Sequence, residues 1–194
     1  MDKVIIFNGP PGSGKDTGAA YLQSKGYNHL RFKDSLIALT SLIYSVPEAD
    51  IEELLESRDG KERSDVRFGG KSLRQALIYV SEGVIKPNFG KDFFGVKAAH
   101  SILRSDNELH VMSDGGFETE INTFIQHGFR VLLIHIHREG HDFSGDSRQY
   151  VYPKNLIKGD GSCHYFVIKN DWSIENFYAQ IDSAIDTYKI AIEV

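Results

Sequence analysis

The chain has a single cysteine and no long apolar run, and these absences exclude several classes of protein. Its single cysteine, Cys163, excludes a disulfide within the chain and any structural zinc site built from paired cysteines. One cysteine in 194 residues also fits a reducing compartment, so we expect a cytoplasmic protein. Uninterrupted apolar runs never approach the length that crosses a bilayer, and we therefore expect no association with a membrane.

A surplus of positive charge is missing as well. Lysine and arginine number 22 against 27 aspartates and glutamates, which gives a formal net charge of −5 at pH 7. A surface that binds polymeric nucleic acid needs clustered basic residues, so we expect no such partner. The hydrophobic content of 41% and the charged content of 25% are ordinary for a soluble globular chain of one domain.

A glycine-rich segment near the start is the most informative feature that is present. Residues 9–17 follow the apolar run 4–7 and precede the helix-like stretch 18–22. Strand, glycine-rich turn, lysine and helix form the context of a phosphate-binding P-loop, in which backbone N–H groups and the helix N-terminus surround an anion. The alternative is a strand–helix turn without a ligand. The segment predicts a nucleoside triphosphate site, here ATP, at Gly9, Gly12, Ser13, Gly14, Lys15, Asp16 and Thr17.

Apolar strands alternate with helical segments along the rest of the chain. The alternation predicts an α/β protein with a doubly wound, parallel, five-stranded sheet in a three-layer P-loop fold. The expected strands are 3–8, 28–32, 108–113, 129–137 and 164–168. The expected core is 1–32, 92–137 and 161–194, interrupted by long insertions at 33–91 and 138–160. Insertions of this length are usually lids or binding subdomains, and we expect an acceptor-binding helical insertion and a lid.

Smaller features are also predicted within these segments. Asp34 is expected to cap a helix that runs to about residue 45, and the charged, glycine-containing stretch 57–71 is expected to be a loop. The last helix carries Ile181, Ala184, Ile185 and Tyr188 on one side. This pattern fits packing on the sheet or the seam of a homodimer.

Two aspartates are candidates for a magnesium site. Asp114 is expected directly after a buried strand, where a Mg²⁺-binding carboxylate of a P-loop protein is found, and it would act through water. The alternative for Asp114 is a turn that caps the next helix. Asp16 lies next to the phosphate-binding residues, and its alternative is an acid favoured by the helix dipole. By contrast, His135, His137 and His141 follow no zinc-binding spacing.

Arginines supply the other charges that phosphoryl transfer requires. Arg138 and Arg148 bracket the second insertion and, with Lys15, are the predicted catalytic residues that would close over the transferring group. Arg74, on a helix of the first insertion, is predicted to bind the phosphate of the acceptor bidentately. The alternatives are a solvated loop arginine for Arg138 or Arg148 and a surface salt bridge for Arg74.

Several short segments together resemble the phage deoxynucleoside monophosphate kinase family. The most specific is Ser-Gly-Lys-Asp-Thr at 13–17. Residues 114–120 are similar to the Asp-x-Arg-Phe-x-x-Glu stretch of that family. The segments similar to its acceptor region are 32–36, 73–77, 82–83 and 89–94. The resemblance implies that Asp34 and Glu82 join Arg74 in binding the acceptor. The chain departs from the pattern at Gly116, where the family has arginine.

The leading hypothesis is an enzyme that transfers the γ-phosphoryl group of ATP, with Mg²⁺, to a (deoxy)nucleoside monophosphate. One alternative is another small-molecule P-loop kinase with an alcohol acceptor, of the dephospho-coenzyme A or phosphomevalonate type, which would need a carboxylate base. A second alternative, of a different class, is a nucleotide-binding switch that transfers no phosphoryl group.

Overall fold

The computed structural model describes residues 3–144, 146, 148–156 and 161–193, with the side chains of 190–193 excepted. The expected core and lid also include residues 1, 2, 145, 147, 157–160 and 194, and those parts lie outside the described residues. In the part that is described, no helix is both long enough and apolar enough to cross a lipid bilayer.

A single parallel sheet organises the described chain. Its strands are β1 Lys3–Asn8, β2 Asn28–Leu30, β3 Leu109–Gly115, β4 Arg130–His137 and β5 Ser162–Lys169. Every pairing is parallel, and the order across the sheet is β2-β3-β1-β4-β5. This arrangement confirms the predicted doubly wound, five-stranded α/β fold.

Helices make up most of the remaining described structure. Their bounds are α1 Lys15–Ser24, α2 Phe32–Tyr44, α3 Glu48–Leu55, α4 Arg58–Glu62, α5 Leu73–Ile78, α6 Lys86–Phe89, α7 Phe93–Leu103, α8 Glu118–Gln126 and α9 Ile174–Glu193. A π-helical turn, Tyr79–Ile85, joins α5 to α6. Short 3₁₀ turns occupy Val66–Phe68 and Pro153–Asn155.

The chain divides into two compact units, and the first is Met1–Arg31 with Ala98–Val194. β1 is buried from Val4 to Asn8, so it is covered on both faces, as its continuous apolar sequence predicts. Ile5 and Phe7 pack in one cluster with side chains of α1 and α9. The α9 residues Ile181, Ala184, Ile185 and Tyr188 belong to that cluster, which is the sheet-packing use expected for them.

Parallel strands bring their carboxyl ends to one edge of the sheet. At this edge β1 ends at Asn8, which is paired with Gly115 of β3 and with His135 of β4. The glycine-rich segment begins immediately after Asn8. Ligands of open α/β sheets bind at this edge, so the topology places the predicted site there.

The second unit is Phe32–Lys97, and it contains the whole of the expected insertion 33–91. It is almost entirely helical and has apolar clusters of its own. One cluster includes Ile37, Ile51, Phe68 and Leu73, and another centres on Val80 and Ile85.

Three local predictions were wrong. The stretch 57–71 is not simply a loop: Ser57 accepts a hydrogen bond from the Gly60 N–H at 2.9 Å and starts α4, and buried Phe68 anchors the 3₁₀ turn that follows. α2 begins at Phe32, so Asp34 lies in its first turn and does not cap it. β3 continues through Asp114 to Gly115 because it pairs with the end of β1.

The apolar core of the second unit predicts a clear contrast between two neighbouring side chains. Phe68 is fully buried, with its ring edge-on to Tyr44 at 5.4 Å, whereas Val66 in the same turn is 91% exposed. We expect Phe68→Ala to lower the free energy of unfolding by about 3–5 kcal/mol. Val66→Ala should change it by less than about 0.5 kcal/mol. Urea denaturation measures both, and similar losses from the two variants would contradict this account of the core.

Candidate functional site

The glycine loop, residues 9–14, connects β1 to α1 and depends on glycine at three positions. Gly12 and Gly14 have φ angles of +76° and +106°, in the left-handed region that side chains disfavour. A Cβ atom at Gly9 would lie 2.6 Å from Ser13 Oγ and 2.7 Å from the Ile136 carbonyl oxygen. The glycines therefore allow the chain to turn tightly at the carboxyl edge of the sheet.

The loop ends at the start of α1, where hydrogen-bond donors are available. Gly14 precedes the helix and has no side chain to cap it, and the N–H groups of the first turn have no partner within the helix. The hydroxyl of Ser13 is buried and has no hydrogen-bond partner among the described residues. A buried polar group of this kind calls for a ligand or a water molecule. Together these donors can surround an anion.

The Lys15 side chain folds back into the glycine loop. Its Nζ donates to the carbonyl oxygens of Gly9 and Pro10, both at 2.7 Å, and the residue is only 7% exposed. Burial, followed by the positive charge of Arg148, lowers the pKa of Lys15 to about 8, while Asp16 opposes the shift. The ammonium group is therefore poorly compensated, and a phosphate beside it would stabilise its charged form.

Arg148 reaches the same place from the predicted lid. Its Nε and Nη2 donate to the two carboxylate oxygens of Asp146 at 2.9 and 2.6 Å, in a fork-like pair. A Cβ atom added at Gly116 would lie 2.7 Å from Cδ of Arg148, so the arginine packs directly over this glycine. Because position 116 carries no side chain, the side chain of Arg148 can occupy the space above it.

Two carboxyl groups lie near these cations. Asp114 acts electrostatically on both Lys15 and Arg148. Glu120, in the first turn of α8, accepts a hydrogen bond from the Phe117 N–H at 3.3 Å. Burial and then the charge of Asp114 raise the pKa of Glu120 to about 8, which favours the protonated form of its carboxyl group.

Further side chains contact the glycine loop from outside. Arg138 Nη1 donates to the Gly12 carbonyl oxygen at 2.9 Å, and Asn170 Nδ2 donates to that of Ser13 at 2.9 Å. His141 Nδ1 lies 3.0 Å from the Pro11 carbonyl oxygen, which makes this nitrogen the donor. Beside the loop, a cleft of about 320 Å³ opens between Arg138, Phe143, Tyr150 and Asp171.

His135 forms a hydrogen bond with the backbone of the segment that follows Arg148. Its imidazole is fully buried, Nε2 donates to the Val151 carbonyl oxygen at 2.7 Å, and Nδ1 has no partner among the described residues. The rings of Tyr150, Tyr152 and Tyr165 surround it at 5.0–5.3 Å. Burial, with a smaller effect of the nearby His137, lowers the pKa of His135 to about 4, while the hydrogen bond to Val151 opposes the shift.

The predicted site residues divide between the two units. Lys15, Arg138, Arg148 and Asp114 come together around the glycine loop in the first unit, with Asp16 exposed beside Lys15. Asp34, Arg74 and Glu82 belong to the second unit. Their roles, and those of the first group, stay predictions.

The partners of two second-unit residues are local. Arg74 Nε donates to Glu62 Oε1 at 2.6 Å in an exposed ion pair, which is the alternative expected for this arginine. Glu82 Oε1 accepts hydrogen bonds from Ser81 Oγ at 3.0 Å and from Lys86 Nζ at 2.6 Å.

Sequence reasoning missed several residues of the site. Asp146 and Asn170 were not predicted to belong to the site, because no local pattern distinguishes them from other polar loop residues. Glu120 was noted only within a family motif. Asn8 did carry a signal, since it is a polar residue at the end of an otherwise apolar strand, directly before the first loop glycine.

Comparisons with known proteins were made at the level of sequence and of structure. No protein-family model and no curated protein sequence matches the chain. The solved structures that are similar to it include a sugar kinase from a Janibacter species, with 13% identity, a TM-score of 0.49 and coverage of 96% of this chain and 95% of that one.

Two further structures are comparably distant. The dephospho-CoA kinase of Campylobacter jejuni has 15% identity and a TM-score of 0.45, with 96% of each chain covered. The APS kinase CysC of Mycobacterium tuberculosis has 11% identity and a TM-score of 0.43, with 95% of this chain and 97% of that one covered. Similarities at this level give no information about substrate or activity.

The buried neutral His135 predicts a specific loss of stability in mild acid. Between pH 6.5 and 4 the unfolded histidine binds a proton that the folded one does not, so the contribution of His135 to the free energy of unfolding falls as the pH is lowered through this window. The full effect is about 3 kcal/mol and vanishes above the window. His135→Gln, which keeps an N–H for Val151, should remove this contribution, as measured by urea denaturation across the window.

The matched control for this experiment is His164→Gln, which changes an exposed histidine on β5. It should keep the pH dependence of the wild type. A His135→Gln protein whose stability depends on pH as steeply as that of His164→Gln would contradict the assignment.

Proposed function

We propose that the protein transfers the γ-phosphoryl group of ATP to a (deoxy)nucleoside monophosphate and thereby forms the diphosphate. The observation that carries the proposal is the buried Lys15 ammonium inside the glycine loop, at the uncapped start of α1 and beside Arg148. Backbone N–H groups, a helix dipole and two cations then favour an anion at one place. Phosphoryl transfer depends mainly on such positioning and charge neutralisation.

The loop glycines, Ser13, Lys15, Thr17 and the two arginines each have a role in this proposal. Gly9, Gly12, Ser13, Gly14 and Thr17 hold the donor phosphates, and Lys15 leaves its two loop carbonyls to neutralise the transferring group. Arg138 and Arg148 stabilise the charge that spreads over the phosphoryl oxygens in the transition state. The cleft beside Arg138 has a volume suited to the rest of the donor nucleotide.

Magnesium would accompany the donor. Among the described residues, no group of three or more histidine, cysteine, aspartate or glutamate side chains is placed to hold a metal ion. Nucleotide-bound Mg²⁺ needs only one or two carboxylates, because phosphates and water supply its other ligands. Asp114 and Asp16, both acting on Lys15, would hold the ion through water. When bound, it neutralises charge on the donor phosphates.

The acceptor is assigned from the family resemblance and from the charges of the second unit. Arg74 would exchange Glu62 for the acceptor phosphate, to which its guanidinium offers two parallel N–H donors. Asp34 and Glu82 would contact the rest of the acceptor. No general base is needed, because an oxygen of a monophosphate is already ionised at neutral pH.

A coupled assay of ADP release tests the proposal directly. The protein is supplied with Mg-ATP and, in turn, each common ribo- and deoxyribonucleoside monophosphate. Strong turnover with one or more of them supports the proposal and names the acceptor. If none of them is turned over, the assay is repeated with alcohol acceptors such as dephospho-coenzyme A. Turnover only with an alcohol acceptor, or triphosphate binding without any transfer, would overturn the proposal in favour of one of the two alternative functions.

Lysines at the two ends of α1 provide a matched test of the donor site. Lys15→Met should lower kcat by about a thousandfold, because it removes the charge that faces the transferring group. Lys25→Met alters an exposed lysine just beyond the other end of α1, paired with Asp182 at 2.7 Å, and should retain nearly full turnover. Steady-state kinetics on both proteins measures the difference, and near-normal turnover of Lys15→Met would contradict the assigned role.

The ion pair between Arg74 and Glu62 allows the two roles of Arg74 to be separated. If Arg74 binds the acceptor phosphate, Arg74→Ala should raise the KM for the acceptor about tenfold or more. Glu62→Ala, which frees the same arginine, should leave that KM within about twofold or lower it. Equal effects of the two substitutions on KM would show that Arg74 serves only the surface ion pair.

A further inference from the structure

Asn8 is the polar exception in β1. It is fully buried at the end of a strand that otherwise consists of Lys3 and four apolar residues, and it is joined covalently to Gly9. A buried amide destabilises the folded state unless its donors and acceptor are hydrogen-bonded. The partners of Asn8 therefore indicate what the residue contributes at this position.

The Asn8 amide links three parts of the first unit. Its Nδ2 donates to the carbonyl oxygens of Gly115 at 3.2 Å and Gln149 at 3.0 Å, and its Oδ1 accepts from the Val151 N–H at 2.8 Å. The amide orientation follows from these partners, since a flipped group would turn its oxygen toward two carbonyls. One side chain thus joins the start of the glycine loop, the end of β3 and the segment next to Arg148.

That segment, residues 148–152, is named here the arginine strap. It runs across the carboxyl edge of the sheet, and side chains form hydrogen bonds with its backbone at Gln149 and Val151. Besides the Asn8 bonds, His135 Nε2 donates to the Val151 carbonyl oxygen. In the other direction, the Tyr150 hydroxyl of the strap donates to the Ile136 carbonyl oxygen of β4 at 3.0 Å. Val151 is fully buried, which fixes the depth of the strap.

The side chain of Arg148 has fixed contacts as well. Its guanidinium donates to both carboxylate oxygens of Asp146, and its aliphatic part packs against Gly116. A displacement of the strap would break the two Asn8 bonds and move Arg148 relative to Lys15. Pre-placed charges stabilise a transition state without reorganisation, and small misplacements lower the rate strongly.

We propose that Asn8 is the positioning residue for Arg148: it ties the arginine strap to the start of the glycine loop, so that Arg148 is in place for phosphoryl transfer without a closing motion. The inference rests on the proposed function and adds to it a residue that touches neither substrate. It also changes the expected mechanism, because Arg148 then acts as a fixed part of the site rather than as a lid arginine.

The test is a double-mutant cycle between Asn8 and Arg148. Asn8→Asp keeps the acceptor for the Val151 N–H but turns an oxygen toward the carbonyls of Gly115 and Gln149. We expect kcat to fall about 10- to 100-fold, with the KM for ATP within about threefold. In the Arg148→Gln background the same substitution should cause almost no further loss, because Asn8 acts through Arg148.

Gly116→Ala serves as a comparison that displaces Arg148 while leaving the Asn8 side chain unchanged. Gly116 does not have a positive φ, so alanine suits its backbone, and the added methyl group meets Cδ of Arg148. It should reproduce the kcat loss and should likewise cause no further loss in the Arg148→Gln background. If Asn8→Asp does not fold, Asn8→Ser, which is neutral and too short to reach the strap, takes its place in the cycle.

The outcomes separate the inference from the proposed function. Wild-type protein without turnover on any monophosphate overturns both. A second outcome is that the wild type is active and Arg148→Gln is not. If the Asn8 variant is then fully active, or if its loss is additive with that of Arg148→Gln, the inference alone is overturned. A non-additive loss of kcat supports it.

Discussion

The burial of the Lys15 ammonium within the glycine loop is the constraint around which the site is arranged. A cation with so little exposure needs a negative charge nearby to balance it, and the two loop carbonyls at 2.7 Å provide only dipoles. The nearby Arg148 adds a second positive charge, and the lowered pKa of Lys15 shows that the carboxylates around it do not fully offset these effects. An anion beside the two cations would supply the missing negative charge, and this is the basis for proposing a phosphate as the ligand.

Keeping two cations side by side requires a rigid frame, and the chain supplies one at the carboxyl edge of the sheet. Asp146 carries the countercharge for Arg148, while Asn8 and His135 hold the backbone of the arginine strap. Gly116 provides the space in which the arginine crosses the edge. Since these contacts come from β1, β4, the residue just after β3 and the loop after β4, the position of Arg148 depends on segments that are far apart in the sequence.

The sheet, the parallel direction of its strands and the glycine loop could be predicted, because each is marked by a short local pattern in the sequence. Apolar runs mark the strands, and glycines at 9, 12 and 14 mark a turn that only glycine can make. The convergence of Arg148 on Lys15 could be expected only in outline. Its geometry depends on Asn8, which contacts residues more than a hundred positions away, and no spacing rule reveals such contacts.

Predictions failed where tertiary burial outweighed local composition. The charged stretch around α4 was expected to be a loop, yet Phe68 within it is fully buried and orders the turn. Asp34 has the chemistry of a helix cap, but α2 starts two residues earlier. Arg74 illustrates a different limit, since the same charge suits a surface ion pair and a substrate phosphate, and only a functional measurement separates the two.

The most direct test of the account is to follow the γ-phosphorus of ATP by phosphorus NMR with the wild-type protein, Mg²⁺ and a mixture of nucleoside monophosphates. The account predicts that this phosphorus appears as the terminal group of a new nucleoside diphosphate, with ADP formed in equal amount. Its appearance only as inorganic phosphate, or its retention in ATP, would contradict the claim that the glycine loop and its cations serve phosphoryl transfer.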